Sequence, residues 1–96
     1  MSKITQSARG EDCLVRITGV CTYDPAMTIW SHCRHGAAGK GKAIKAVDLA
    51  GAYACTACDA AYDQMAGTTQ TREEIDADWN MGHFRSLKRL QEKGLI

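Results

Sequence analysis

Five cysteines lie in this chain of 96 residues, and four of them have a spacing that suits a metal ion. Cys55 and Cys58 form a Cys-x-x-Cys pair, which lets two thiolates face one ion, and seven residues with a Thr-Gly-Val turn separate Cys13 from Cys21. An odd number of cysteines in a reducing compartment fits a disulfide framework worse than four ligands and one spare thiol. The pattern favours a closed, tetrahedral zinc site that adds stability to a small core.

Two other interpretations of the Cys-x-x-Cys pair stay open. It could be a redox dithiol, although the strand and helix context of such motifs is lacking here. The cysteines could also be buried as small hydrophobic side chains. The fifth cysteine, Cys33, lies beside His32 and is expected to be an ordinary half-buried thiol rather than a ligand.

Two aspartates follow the cysteine pair, Asp59 directly and Asp63 four residues later. Residues four apart share one face of a helix, where two carboxylates can bind a hard divalent cation through oxygen. Two exposed acids near a helix N-terminus, where the helix dipole favours negative charge, explain the same spacing. The spacing alone therefore does not decide between a cation site and a solvated helix face.

The histidines differ in what surrounds them. His32 and His35 follow an apolar segment, and His32 also lies close to Arg34 and upstream of the two aspartates. Imidazole titrates near neutral pH and can act as a general base, so His32 is a candidate for catalysis. His83 has no other chelating residue in its turn and is expected to be a packed helix histidine.

The elements that must position these residues follow from the apolar pattern. Alternation within residues 13–34 predicts two short strands, one carrying Leu14, Val15 and Ile17 and one at residues 27–30, which puts His32 at the end of the second. The sequence GAAGKG at residues 36–41 predicts a loop, with Lys42 and Lys45 after it. The alanine-rich segment after Thr56 predicts a helix that begins near the second cysteine of the pair and stops near Gly67.

A longer amphipathic helix is predicted at about residues 71–93, because TREE has the form of a capping box and apolar residues then recur at helical spacing. Its apolar stripe, with Trp79, Leu87 and Leu90, can pack on the core or on a twin helix in a homodimer. Four basic residues occur late in this helix, where the helix dipole favours them. These residues are Arg85, Lys88, Arg89 and Lys93. They form either a solvated face or a face that contacts phosphate.

Charge and hydropathy exclude several classes of protein. Twelve Lys and Arg against eleven acids give a net charge of +1, so there is no general basic field and any contact with nucleic acid must be local. No stretch is long and apolar enough to span a bilayer, and the polar start lacks the apolar region of a secretory signal. We expect a cytosolic protein.

Four stretches together carry a family resemblance: ARGEDCLVRITGVC, SHCR around His32, VDL around Asp48, and ACTACDAAYD. They resemble the HNH endonucleases of the ββα-metal class with a zinc knuckle, and more narrowly the YbcO-like nucleases of lambdoid phages and prophages. The resemblance spans about residues 8–63, with a weaker echo in the C-terminal helix. It implies an α+β fold with a small ββα-metal, HNH-like core at about residues 8–66 and a long helix at about 71–93, in a single domain over residues 1–96.

The resemblance also implies roles for particular residues. His32 falls on the first histidine of the family, a general base; Arg34 falls on the arginine after it, and Asp48 on an acid before the cysteine pair. Asp63 matches an acid, whereas Asp59 stands where the family usually has histidine, which favours Mg²⁺ or Mn²⁺ over zinc at a catalytic position. The family's cysteines fall on the structural zinc set, namely Cys13, Cys21, Cys55 and Cys58.

The implied activity is metal-dependent hydrolysis of phosphodiester bonds in nucleic acid, with DNA as the first candidate, in the cytoplasm of a bacterial host and in company with phage recombination proteins. An alternative of a different class uses the same cysteines. In it the chain is a non-catalytic, zinc-ribbon-like module that docks on nucleic acid or protein, and His32 and the acids have only surface roles.

Overall fold

The computed structural model describes residues 3–34 and 48–96, which form a small α+β arrangement. Two strands pair in one antiparallel sheet, and a long helix lies against the second strand. No helix in these two ranges is long and apolar enough to cross a membrane. The elements are α1 (Lys3–Ser7), a 3₁₀ turn (Pro25–Met27), β1 (Thr28–His32), β2 (Gly51–Cys55), α2 (Thr56–Gln64) and α3 (Arg72–Glu92).

The sheet has a defined register that separates its two faces. Trp30 lies opposite Tyr53, and their rings meet edge to face with centroids 5.3 Å apart. Ser31 lies opposite Ala52, and His32 lies opposite Gly51 at the end of the ladder. Because successive side chains of a strand point to opposite faces, Trp30 and His32 share one face and Ser31 belongs to the other.

The prediction of a strand carrying Leu14, Val15 and Ile17 is wrong. These residues lie in a loop that turns at residues 18–20, with Arg16 in the left-handed region at φ 52°. The side chains of Val15 and Ile17 are nevertheless buried. The alternation of apolar and polar residues therefore reflects which side chains are buried, and it does not indicate a strand of the sheet. A chain that must bring the Cys13 and Cys21 sulfurs to one point cannot stay extended between them.

The second strand was not predicted, and His32 therefore ends the first strand of the sheet and not the second. β2 reads GAYAC, and all five residues are buried, so it lacks the polar and apolar alternation of a half-exposed strand. Its alanines and its glycine also have low strand propensity. Tertiary packing, and not local preference, makes this segment extended. The predicted loop at residues 36–41, with Lys42, Lys45 and His35, lies outside the described residues.

Both predicted helices are confirmed. α2 begins at Thr56 directly after the strand, and it ends with Met65 in the left-handed cap conformation at φ 57°. α3 begins with the predicted capping box, in which the side chains of Thr71 and Glu74 each accept a hydrogen bond from the other's backbone N–H. On α3, Trp79 and Leu90 are buried in the chain's own core and Leu87 packs against it, so this stripe contacts the sheet.

The basic residues late in α3 hold the N-terminal segment. Arg89 pairs with Glu11 at 2.6 Å, and Lys93 lies 3.7 Å from the same carboxylate. The hydrogen bond from Arg89 lowers the pKa of Glu11. Arg85 donates to the carbonyl of Leu14 at 2.9 Å. Three of the four basic residues thus make contacts with the N-terminal segment of the same chain. The fourth, Lys88, is exposed.

Gly82 marks the point where α3 meets the loop between Cys13 and Cys21. A Cβ at this position would lie 2.6 Å from Val15 Cγ2 and 2.7 Å from Val15 Cα, which is too close. Glycine in a helix costs about 1 kcal/mol relative to alanine, yet crowding a packed site costs about 1–3 kcal/mol. The close approach of helix and loop explains why this residue is glycine.

We therefore expect Gly82→Ala to lower the free energy of unfolding by up to about 2 kcal/mol, although alanine is the better helix former. Urea denaturation followed by circular dichroism measures the change. Asn80→Ala, at an exposed position of the same helix, is the matched control and should leave stability unchanged or slightly higher. A stabilised Gly82→Ala variant would contradict the packing of α3 against Val15.

Candidate functional site

Four of the five cysteines meet at one point. The sulfurs of Cys13, Cys21, Cys55 and Cys58 all lie within 4.8 Å of one another, and within the described residues this is the one group of three or more His, Cys, Asp or Glu side chains that can hold a metal ion. Four sulfurs placed about 2.3 Å from a tetrahedral zinc ion would be about 3.8 Å apart. The predicted meeting of the two cysteine pairs is confirmed.

Two local structures position the sulfurs. The turn at residues 18–20 reverses the chain, with the N–H groups of Val20 and Cys21 both donating to the carbonyl of Ile17, so that Cys21 returns towards Cys13. Cys55 is the last residue of β2 and Cys58 lies in the first turn of α2, which aims both sulfurs to one side of the strand–helix junction. The site therefore ties the loop to the start of α2.

Backbone N–H groups surround the sulfurs. Cys55 Sγ accepts from the N–H of Thr22 at 3.5 Å and from that of Cys58 at 3.4 Å, and Cys21 Sγ accepts from the N–H of Tyr23 at 3.4 Å. Such donors stabilise thiolates, since four thiolates around a divalent ion leave excess negative charge. The donor set and its burial fit a closed structural metal site in which no position is left for substrate.

The protonation of the sulfurs depends on their mutual contact. A hydrogen bond from Cys58 lowers the pKa of Cys13 to about 4, and the same bond raises the pKa of Cys58. Burial raises the pKa of Cys21 to about 11. An ion bound by all four sulfurs must displace the protons that Cys58 and Cys21 otherwise hold. Metal affinity is therefore expected to fall as the pH is lowered.

Cys33 does not belong to this group. Its thiol is half-buried and accepts a hydrogen bond from the Tyr62 hydroxyl at 3.8 Å, as expected for the spare cysteine. His83 is a packed helix histidine, as predicted. Its ring stacks on Trp79 with centroids 5.7 Å apart, and its Nδ1 lies 2.6 Å from the carbonyl oxygen of Gly51.

A second polar group lies one residue beyond the cysteines, around Asp59. Ser31 Oγ donates to Asp59 Oδ1 at 2.6 Å and accepts from the indole N–H of Trp79 at 3.0 Å. Ser31 is only 1% exposed, so this chain of hydrogen bonds fixes one carboxylate oxygen at the edge of the core. Asp63 lies one helical turn further on and is exposed. Ser31 is therefore the β1 side chain that contacts Asp59.

Sequence reasoning did not find Ser31 or Trp79 as partners of Asp59. The available signal was a small polar residue inside an apolar strand, directly before the candidate histidine. A hydroxyl at a buried strand position needs a hydrogen-bond partner, and Ser31 has two of them. Pairing between residues 28 and 48 positions apart in the chain depends on the tertiary fold and is not visible in local periodicity.

We expect Ser31→Ala to destabilise the protein by about 1–3 kcal/mol, because it leaves the buried indole N–H of Trp79 without an acceptor. It should also loosen the Asp59 carboxylate. Ser31→Thr keeps the hydroxyl and is the control, with an expected recovery of most of the loss. Thermal unfolding and tryptophan fluorescence measure the two effects. Equal stability of Ser31→Ala and the wild type would contradict this hydrogen-bonded chain.

Arg34 is held on the same side of the structure. Its guanidinium pairs with Asp76 at 2.8 Å, its backbone N–H donates to the Tyr62 hydroxyl at 3.1 Å, and its charge lies 5.6 Å from the centre of the Tyr62 ring. Arg72 shares the same carboxylate at 3.1 Å. The Arg34 Nε is buried and makes no hydrogen bond within residues 3–34 and 48–96. Arg34 thus has a structural role and a spare donor.

His32 and Asp48 lie towards the other face of the sheet. The carbonyl of Asp48 accepts a hydrogen bond from the Trp30 indole at 2.8 Å, and Trp30 and His32 share a face of β1. Both His32 and Asp48 are exposed. The structure therefore places the predicted residues in three groups: the cysteines, Asp59 with Asp63 and Arg34, and His32 with Asp48. That Asp59 and Asp63 face His32 stays a prediction, and the contact of Asp59 with Ser31, on the opposite face of β1, counts against it.

Comparison with known proteins identifies the family. A family model described as "Putative nuclease YbcO" matches residues 2–95, so the chain belongs to the YbcO family. It is 41% identical over 59 residues to proteins named "Putative nuclease YbcO" from Escherichia coli K12 and "Putative nuclease ybcO" from Enterobacteria phage 82. Those alignments cover 60% of this chain and 59% of each relative, so the chain spans less than two thirds of their length in these matches.

A solved structure supports the fold over nearly the whole chain. It is described as that of "a putative bacteriophage protein" from E. coli K-12 substr. MG1655, and it superposes with a TM-score of 0.79 at 28% identity. The superposition covers 94% of this chain and 98% of the other. The resemblance to the YbcO family is confirmed by the family model, and the wider resemblance to HNH endonucleases stays a prediction.

Proposed function

We propose that the chain is a metal-dependent endonuclease of the ββα-metal, HNH-like class, with its fold and site in a single domain over residues 1–96. The observation that carries the proposal is the order β1, β2, α2, with the cysteine group at the junction of β2 and α2 directly before Asp59. The relatives are named as nucleases, and we extend that activity to this chain as part of the proposal.

In this proposal the four cysteines hold a structural Zn²⁺ ion. Four buried or half-buried thiolates with N–H donors around them suit zinc, which prefers tetrahedral sulfur ligands. The ion joins the loop from Cys13 to Cys21 to the first turn of α2. It thereby fixes the helix that carries Asp59 and Asp63, so that it supports catalysis without contacting the substrate.

His32 is the proposed general base. It ends β1 and is exposed, so a water molecule and a phosphodiester can approach its ring. Transfer of a proton from the attacking water to a positioned imidazole typically speeds such a reaction by about 10²–10⁴-fold. Asp48 lies beyond Trp30 towards the same face and is proposed to orient the imidazole or to assist binding there.

Asp59 and Asp63 are the proposed ligands of a catalytic Mg²⁺ or Mn²⁺ ion. Mg²⁺ commonly takes only one or two carboxylates from the protein and completes its shell with water and substrate phosphate, so two aspartates can suffice. When bound, the ion would offset negative charge on the scissile phosphate. Ser31 keeps one oxygen of Asp59 oriented, which reduces the reorganisation needed on binding. The second oxygen is proposed to be the ligand atom.

Arg34 is the proposed phosphate contact. A guanidinium offers five donors, and Asp76 takes only part of them. The nucleic acid is proposed to be DNA, cut in the cytoplasm of a bacterial host, with phage recombination proteins as partners. The net charge of +1 implies a small footprint on the substrate or help from such a partner.

A second candidate function has an observation in its favour. Ser31 and not His32 contacts Asp59, and the cysteines are the one complete ligand group within residues 3–34 and 48–96. These facts fit a non-catalytic, zinc-ribbon-like module that binds nucleic acid or protein. In that case Asp59 is a structural carboxylate that fastens α2 to β1.

Cleavage assays distinguish the two functions. Zinc-loaded protein is incubated with supercoiled plasmid, branched DNA and RNA, each in Mg²⁺, in Mn²⁺ and without a divalent ion. The endonuclease proposal expects nicked or linear product that depends on the added ion. No product with any substrate or ion, from protein that still binds nucleic acid, would favour the binding module.

A further inference from the structure

Two residues beside the cysteine group adopt a backbone conformation that ordinary side chains avoid. Arg16 has φ 52° and Tyr23 has φ 54°, in the left-handed region that glycine occupies without steric penalty. Elsewhere the chain uses glycine for this purpose, as at Gly10 and Gly19. Met65 also has a positive φ, but it is the C-cap of α2, where that conformation closes the helix.

The fold needs these two backbone conformations but not these two side chains. At Tyr23 the left-handed turn aims the backbone N–H at Cys21 Sγ, 3.4 Å away, and glycine would aim it equally well. At Arg16 the side chain contributes one hydrogen bond, from Nε to the carbonyl of Cys13 at 3.2 Å. Its terminal nitrogens make no hydrogen bond within the described residues, and the Tyr23 side chain is 70% exposed.

The two side chains border one open cleft. Asp12, Cys13, Arg16 and Tyr23 line a depression of about 320 Å³ next to the cysteine group. Ligand-binding clefts in proteins begin at about this volume. The cleft offers an aromatic ring, a guanidinium and a carboxylate, so it is not a simple cationic patch. A ligand with a flat face, an anionic group and a hydrogen-bond donor would match all three side chains.

A nucleotide in an unpaired segment has these three features. Its base stacks on aromatic rings, its phosphate accepts the fork of donors of a guanidinium, and its exocyclic amine can donate to a carboxylate. In a duplex both faces of the base are already stacked, so a ring such as that of Tyr23 cannot reach them. A strand of nucleic acid without its complement is therefore the matching partner.

We infer that this cleft is a binding site for single-stranded nucleic acid, in which Tyr23 stacks on a base, Arg16 contacts the adjoining phosphate and Asp12 accepts from the base edge. The inference rests on the proposed function in taking nucleic acid as the ligand, and it names an unpaired segment of the substrate as the part that is held. It requires no cleavage, since none of the three residues belongs to the proposed catalytic groups.

Fluorescence anisotropy with the zinc-loaded full chain tests the inference. The probes are labelled 20-nucleotide oligo-dC, oligo-rC and a DNA duplex of equal length, each base of the single strands having an exocyclic amine, without added divalent ion so that no cleavage intervenes. Tyr23→Gly should weaken binding to the single strands about tenfold, while Tyr23→Phe stays near the wild type.

Arg16→Gly should lower the slope of log affinity against log salt by about 0.7, the value for one phosphate contact on a single strand. Lys88→Ala removes the same charge from the exposed side of α3 and should leave the slope unchanged.

Stability separates a binding role from a structural one. Both glycine variants should melt within a few degrees of the wild type and keep their zinc, because glycine accepts the backbone conformation. Asparagine, which also tolerates it, replaces glycine in a second pair of variants if either fails to fold. Comparison of oligo-dC with oligo-rC, which differ only in the sugar, shows whether the strand is DNA or RNA.

Several results would overturn the inference: unchanged affinity in both glycine variants, equal losses for duplex and single strand, or no binding of nucleic acid by the wild type. Binding that depends on Tyr23 and Arg16 in a protein that cleaves nothing would support the inference and count against the endonuclease. Cleavage by the wild type, together with unchanged binding in the variants, would support the endonuclease and count against the inference. The two proposals can therefore fail separately.

Discussion

Cys58→Ser is expected to leave the protein largely unfolded at 25 °C and unable to retain a stoichiometric metal ion. Cys58 is fully buried, and its sulfur is one of four that meet within 4.8 Å. Structural zinc contributes an apparent binding free energy of about 10–16 kcal/mol in small zinc-binding peptides, which matches or exceeds the whole stability of a typical small domain of about 5–15 kcal/mol. Zinc content by elemental analysis and the circular dichroism melting curve measure the loss.

Cys33→Ser is the matched control, because the Cys33 thiol lies outside the group and accepts a hydrogen bond from the Tyr62 hydroxyl at 3.8 Å. It should keep its metal and melt close to the wild type. Chelation of the wild-type protein should reproduce the unfolding of Cys58→Ser, and added zinc should reverse it. If Cys58→Ser folds normally, or if the purified wild type holds no zinc, then the cysteines are packed thiols and not a metal site.

The second large effect is expected from Asp59→Asn. Asparagine keeps the size of the side chain, and its amide oxygen can still accept from Ser31, which lies 2.6 Å from the aspartate oxygen. The negative charge that holds a hard cation is lost, so cleavage at low Mg²⁺ or Mn²⁺ should fall by about 100-fold or more. Raising the ion concentration should recover part of it, because the loss is in affinity for the ion.

Glu73→Gln removes one carboxylate charge at an exposed position of α3 and is the control for Asp59→Asn. It should cleave at the wild-type rate at every ion concentration. Asp59→His introduces the residue that the family resemblance implies at this position and should move the preference from Mg²⁺ towards softer ions such as Zn²⁺ or Ni²⁺. Unchanged metal dependence in Asp59→Asn would remove Asp59 from the proposed cation site.

Much of the metal site and both longer helices follow from local sequence. The Cys-x-x-Cys pair, the turn at residues 18–20 and the capping box at Thr71 are short-range patterns, in which the residues that interact are close in the chain. The start of α2 at Thr56 follows from the same pair, since the Cys55 side chain caps that helix by accepting from the N–H of Cys58. Local chemistry determines each of these features, whereas the meeting of the two cysteine pairs depends on the fold, because Cys21 and Cys55 are 34 positions apart in the chain.

The sheet and the partners of Asp59 could not be derived in the same way. β2 is extended because α3 and β1 cover it, and Ser86 on α3 accepts from the N–H of Tyr53 at 2.8 Å, a contact between residues 33 apart in the chain. Val15 and Ile17 alternate like a strand because a buried loop also points its apolar side chains inwards. Ser31 and Trp79 are joined to Asp59 only by the folded arrangement. Periodicity reports which residues are buried and not which elements cover them.

The most direct test of the endonuclease proposal is cleavage of supercoiled plasmid by the wild type and by His32→Ala, each zinc-loaded and assayed together in Mg²⁺ and in Mn²⁺. We expect ion-dependent nicking by the wild type and a rate lower by about 10²–10⁴-fold in His32→Ala, because His32 is the proposed general base. Zinc content and melting temperature should be unchanged, because the His32 side chain is exposed. Equal cleavage by the two proteins would contradict the role of His32. Absence of cleavage by the wild type with either ion would contradict the nuclease itself.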